Sequence, residues 1–147
     1  MGMNILPAEG KIVENVFYFP LRIYYEDTDA GGIVYYANYL KFAERARSEC
    51  LRTLGINQQQ ILQEDHQGFI VRSCQINYIS SARLDDALLV SCQVIEQGGA
   101  SAVLHQEVLR GDEVLAKVDV KVVYMSLDTH RPTRIPPQIA EKFKTLQ

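Results

Sequence analysis

Three carboxylates stand within four residues at Glu26, Asp27 and Asp29, and two glycines, Gly31 and Gly32, follow almost at once. Like charges this close disfavour full ionisation, so the spacing predicts at least one carboxyl group with a raised pKa. A carboxylate tuned toward neutrality serves as a general base or a nucleophile. A few residues later Asn38 opens the strongest helical pattern in the chain. A helix start offers backbone N–H groups and a positive dipole end, suited to negative charge developing on a carbonyl oxygen. Gly31 and Gly32 let the backbone approach a ligand closely. An acidic turn feeding a capped helix fits the same residues, so spacing alone leaves both readings open.

Other chemistries find less support. His66, His105 and His130 are far apart, and none neighbours a Cys or Ser in a telling way. His66 reads as a surface loop residue and His105 as a sheet residue. There is no G-x-S-x-G elbow and no phosphate-binding glycine motif. Cys50, Cys74 and Cys92 are odd in number and widely spaced, which argues against a disulfide framework and a zinc site and fits a reducing cytoplasm. No metal or cofactor is expected.

The elements that must position the acidic segment follow from periodicity. Asn38 to Leu54 carries apolar residues at Tyr39, Phe42, Ala43, Ala46, Cys50, Leu51 and Leu54, one stripe of a 3.6-residue repeat. Asn38 suits the N-cap and Gly55 the C′ position. Val16–Tyr25, Phe69–Tyr78, Ala87–Glu96, Ser101–Arg110 and Glu113–Met125 read as strands. In the last, Val114, Ala116, Val118, Val120, Val122 and Tyr124 alternate with Lys117, Asp119 and Lys121. The turns Gln97-Gly98-Gly99 and Arg110-Gly111-Asp112 make neighbouring strands antiparallel. One apolar helix face and one apolar sheet face cover each other, an α+β arrangement with the sheet wrapped around one long central helix. The first 14 residues read as a loose arm. Residues 128–147 read as a tail with three prolines between Thr129 and Pro137 and a short helix over Gln138–Leu146.

The 147 residues make one domain with a sizeable core. A net charge of −3 is a poor basis for non-specific nucleic-acid binding. No apolar run reaches membrane-spanning length, and Met1 to Glu14 lacks the apolar core of a signal peptide. Charge is uneven. Residues 121–147 hold five basic and two acidic side chains, either a solvated tail or a basic rim for an anionic ligand. Four of the eight tyrosines lie between Tyr24 and Tyr36, flanking the acidic segment.

The run from Tyr25 to Leu40, with Phe42, Glu44, Arg45, Ala46 and Arg47 after it, resembles the signature of the hotdog-fold acyl-CoA thioesterases. It is most similar to the Tol-Pal-associated, YbgC-type branch, related to 4-hydroxybenzoyl-CoA thioesterase. Ser81-Ala82-Arg83-Leu84-Asp85-Asp86 resembles the segment before that family's third strand, and the likeness spans roughly residues 17–135. The resemblance implies a hotdog fold, in which an antiparallel sheet wraps a long helix. It implies that Asp29 attacks the thioester carbonyl or activates water, while a backbone N–H near Tyr36 polarises the carbonyl oxygen. Asp27, Gly31, Gly32 and Asn38 are then the supporting loop.

Two departures bear on these roles. Many YbgC-type members carry His where Tyr36 stands, whereas the hydroxybenzoyl branch resembles this chain in having Tyr. The hydroxybenzoyl enzyme also sets basic residues against the nucleotide phosphates in a turn that here reads Gln97-Gly98-Gly99-Ala100. CoA phosphates would turn to Arg72, Arg83, Arg131 or Arg134. The resemblance further implies a homo-oligomer, a dimer of dimers, with sites at subunit interfaces and with strand 69–78 and the Ser81–Asp86 segment as the second wall. An acyl-carrier-protein or envelope-complex binding protein with weak hydrolysis is the competing reading. A dehydratase would want a His in the loop.

Overall fold

The computed structural model describes residues 2–147. Six antiparallel strands form one sheet, β1 Lys11–Val13, β2 Val16–Arg22, β3 Gln67–Tyr78, β4 Ala87–Gln97, β5 Ser101–Arg110 and β6 Glu113–Ser126, in the order β1-β2-β4-β5-β6-β3. The helix α1, Asn38–Thr53, lies against β2, β4 and β5 and buries Tyr39, Phe42, Ala43, Ala46 and Cys50, the expected stripe. Each large apolar side chain removed from water here contributes about 1.5–3 kcal/mol. α1 ends where Gly55 takes φ +81°, with Gly55 N–H on the Arg52 carbonyl and Ile56 N–H on the Leu51 carbonyl. Those two bonds are the paired closure of a glycine-terminated helix.

Several boundaries differ from the sequence reading. The first strand stops at Arg22, because Tyr25–Asp27 turns into a single 3-10 turn. The N-terminal arm is not wholly loose. Lys11–Val13 pairs with β2, and Gly10 lies so close to the Phe17 ring that a Cβ there would collide with it. A short helix α2, Gln58–Gln60, continues into one π-type turn, Ile61–Asp65, which periodicity does not reveal. Alternation along β6 breaks at Leu115, which is fully buried. The register shifts opposite Val108/Leu109, so Leu115 turns inward and Val114 is only half-buried.

The C-terminal residues are also more than a tail. Ile135 donates its N–H to the Gly99 carbonyl, and helix α3, Pro137–Lys144, buries Ile139 and Phe143. Leu146 follows them into the core, with its carbonyl accepting the Val94 N–H at 3.0 Å. The core therefore divides along α1. Its first half packs with Ile23, Val34, Ala82, Leu88 and Val108, and Cys50 near its far end with Phe17, Val94, Leu104 and Phe143.

Candidate active site

The acidic segment is a turn tied to the start of α1. Asp27 is buried, and its Oδ2 accepts the Tyr24 N–H at 2.8 Å. The Asp27 carbonyl accepts the Asn38 side-chain amide at 2.8 Å and the Tyr35 N–H at 3.0 Å. Asn38 is therefore not the N-cap that the sequence suggests. Ala37 occupies the cap, and the Asn38 amide reaches back to the turn instead.

Asp29 is exposed. Its N–H donates to the Ile33 carbonyl at 3.0 Å, its carbonyl accepts the Gly32 N–H at 3.1 Å, and its Oδ1 accepts the Gly31 N–H at 2.9 Å. Gly32 has φ +77°, where a side chain would be strained, and a Cβ on Gly31 would lie 3.3 Å from Asp29 Oδ1. Both glycines thus serve the geometry that presents one carboxylate outward. Asp27 faces inward while Glu26 and Asp29 are exposed, and Asp27 and Asp29 each take a backbone donor of their own.

A second strip of chain braces the turn. Val34 donates to the Ala82 carbonyl at 2.9 Å, and Ile33 bridges Arg83. Asp86 holds that strip by accepting the Arg83 N–H at 2.8 Å and Arg110 Nη1 at 2.7 Å. Burial alone would raise the Asp86 pKa; the Arg83 N–H and the Arg110 guanidinium outweigh it and keep the carboxyl below its ordinary value. Tyr39 accepts the Ala82 N–H at 2.9 Å and ties the strip to α1.

Between the turn and α1, the N–H groups of Tyr36 and Ala37 have no acceptor among the described residues. They are free donors at the positive end of a helix dipole. Around them Tyr35, Tyr36 and Tyr78 form an exposed aromatic shelf with ring centroids 5.0 and 6.0 Å apart. The Tyr78 hydroxyl donates to the Tyr36 carbonyl at 3.1 Å.

Sequence reasoning missed Tyr78, although alternation along its strand puts it on the helix side. It also missed Gln106, which is fully buried on β5. Gln106 Nε2 donates to the Ala43 carbonyl at 3.0 Å and its Oε1 accepts Arg47 Nη1 at 3.0 Å. A polar residue in the buried alternation Ala102, Leu104, Gln106, Val108 was the available signal.

The four arginines do not gather in one chain. Arg83 lies beside the turn, and Arg72 sits in the register shift of β3 between Val71 and Ser73. Arg131 and Arg134 lie at the other end of the sheet, where Ser126 N–H meets the Arg131 carbonyl. An apolar cleft of about 210 Å³ also opens toward that end, between Phe69 and Val71 of β3 and Glu44, Arg47 and Leu51 of α1.

The Thioesterase superfamily profile matches residues 31–117, which hold Gly31, Gly32, the free N–H groups, α1 and most of the sheet. The chain belongs to the thioesterase superfamily. It is 43% identical over 136 residues to the acyl-CoA thioesterase YbgC of Haemophilus influenzae, covering 92% of this chain and 100% of that one. It is 34% identical over 131 residues to the acyl-CoA thioesterase YbgC of Helicobacter pylori, covering 82% and 94%. Among solved structures, a probable thioesterase from Bartonella henselae superposes with a TM-score of 0.77 at 33% identity, over 81% of this chain and 98% of that one. As a superfamily member the chain has the hotdog arrangement, an antiparallel sheet around a long helix.

Proposed function

We propose that this thioesterase-superfamily chain hydrolyses acyl-CoA thioesters to a free carboxylic acid and CoA, with Asp29 as the reacting carboxylate. The observation that carries this reading is an outward carboxylate on a glycine turn that runs straight into two unpaired backbone N–H groups. In the reaction, water oxygen ends on the acyl carbon and the C–S bond breaks. The thiol sulfur leaves with a proton. Asp29 supplies the base for that water or attacks the carbonyl itself. The charge that builds on the carbonyl oxygen falls to the N–H groups of Tyr36 and Ala37. The acyl-CoA hydrolases among the relatives support this substrate class.

The working unit in this reading is an oligomer in the cytoplasm, a dimer of dimers. β3 is a 12-residue edge strand that exposes Ile70, Val71 and Tyr78. A long unpaired edge of this kind invites pairing with another chain. Two copies joined antiparallel along β3 by a two-fold axis set the Tyr78 end of one beside the Phe69 end of the other. The cleft of one copy then takes the acyl group presented to Asp29 of the other. Arg83 of one copy and Arg72, Arg131 and Arg134 of the other lie where the CoA phosphates pass. The basic end also suits an acidic acyl carrier protein, the second reading.

CoA release across a panel of acyl-CoAs, with the particle mass measured by light scattering, tests the proposal. The expected result is a kcat of about 1 s⁻¹ or more on at least one substrate, by a particle of two or four chains. A kcat below about 0.01 s⁻¹ on every thioester, with carrier protein retained on a column, would replace hydrolysis by binding.

A further inference from the structure

Tyr78 is held more firmly than an edge-strand residue usually is. Beyond it, the N–H groups of Ile79 and Ser80 both donate to the carbonyl of Leu115, at 2.9 and 3.0 Å. Leu115 is the residue turned inward by the register shift in β6, so its carbonyl is a fixed anchor. The Tyr78 ring meets Tyr39 edge-on at 5.5 Å and Tyr36 at 6.0 Å. Its hydroxyl is thereby aimed at the Tyr36 carbonyl, 3.1 Å away. That carbonyl also faces the Tyr39 N–H, but at 3.4 Å, a long contact.

The Tyr36 carbonyl and the Ala37 N–H belong to one planar peptide unit. A donor on the oxygen fixes the plane of that unit and draws electron density from its nitrogen. The free N–H then becomes a stronger donor pointing in a set direction. We infer that Tyr78 is a positioning residue for hydrolysis, which orients and polarises the Tyr36–Ala37 peptide so that its free N–H stabilises the thioester oxyanion. The inference rests on the proposed roles of Asp29 and the helix start. Burial first, then Tyr36 and its other neighbours, hold the Tyr78 phenol above its ordinary pKa, so it stays a donor at neutral pH.

Removing a whole oxyanion donor costs about 10²–10³ in rate, and a neighbouring bond tunes a donor by about 10–30%. Tyr78→Phe, which keeps the ring and deletes the hydroxyl, should therefore lower kcat by about two- to eightfold with KM within about twofold. A second readout separates positioning from mere support. In Asp29→Asn, which should hold an intact thioester, the carbonyl stretch of a ¹³C-labelled acyl-CoA should shift to lower frequency on binding. The shift should be smaller in Asp29→Asn/Tyr78→Phe. Unchanged kcat and an unchanged carbonyl shift, whether or not the melting temperature falls, would overturn the role of Tyr78 and leave Asp29 untouched. Full activity in Asp29→Asn would instead remove the reading on which the inference stands.

Discussion

His105 carries a charge question quite separate from the acidic turn. Its Nδ1 lies 2.7 Å from Asp119 and its Nε2 2.9 Å from Glu107, on the sheet face away from α1. Lys117 stands across from Glu107 on β6, and Gln93 of β4 faces His105 itself. Burial alone would lower the His105 pKa, but the bonds to Glu107 and Asp119 outweigh it and raise the pKa above 6.5. A raised folded pKa gives stability that is full below the unfolded value and fades as pH rises through the folded one. Urea midpoints of His105→Gln and the parent should therefore differ most below pH 6.5 and converge at higher pH. A gap that is constant with pH would show that the carboxylates do not bind the charged form. The sequence marked His105 only as a sheet residue. Its partners come from strand register, which no local pattern reveals.

At the scale of elements, the seam between α1 and β5 combines apolar packing with one polar clamp. Gln106 reaches from β5 to the Ala43 carbonyl and to Arg47, and it is wholly buried. Burial first, against weaker opposing neighbours, holds the Arg47 pKa below its ordinary value, as expected for a cation whose solvation is partly replaced by this amide. Gln106→Ala leaves a hole and a half-buried arginine donor without its acceptor. It should cost about 2–4 kcal/mol in chemical denaturation, and a loss under about 0.5 kcal/mol would contradict the clamp. The long helix and the β5–β6 hairpin were readable because each has one buried face and a turn of known chemistry. The Gly31–Gly32 turn was readable because positive φ and close approach leave glycine as the fitting choice. What stayed hidden depends on distant partners. Asn38 leaves the cap because the Asp27 carbonyl waits for its amide, Lys11–Val13 pairs because β2 offers an edge, and α3 docks because the end of the core is open.

For the whole molecule, one end of the sheet carries the Asp29 turn and the other carries the cleft, Arg131 and Arg134. A single chain thus separates the exposed Asp29 carboxylate from the apolar cleft and from Arg131 and Arg134. In the proposed dimer, antiparallel pairing along β3 brings the Asp29 turn of one copy beside the cleft of the other, which is how a short chain would complete a site for a substrate as long as an acyl-CoA. That proposed site centres on the carboxylate of Asp29. Its direct test is steady-state CoA release by Asp29→Asn on the acyl-CoA that the parent turns over fastest, with circular dichroism and particle mass matching the parent. The expected outcome is a fall in kcat of about 10²–10⁴-fold, the usual worth of a positioned base. Turnover within about threefold of the parent would contradict the assignment of Asp29.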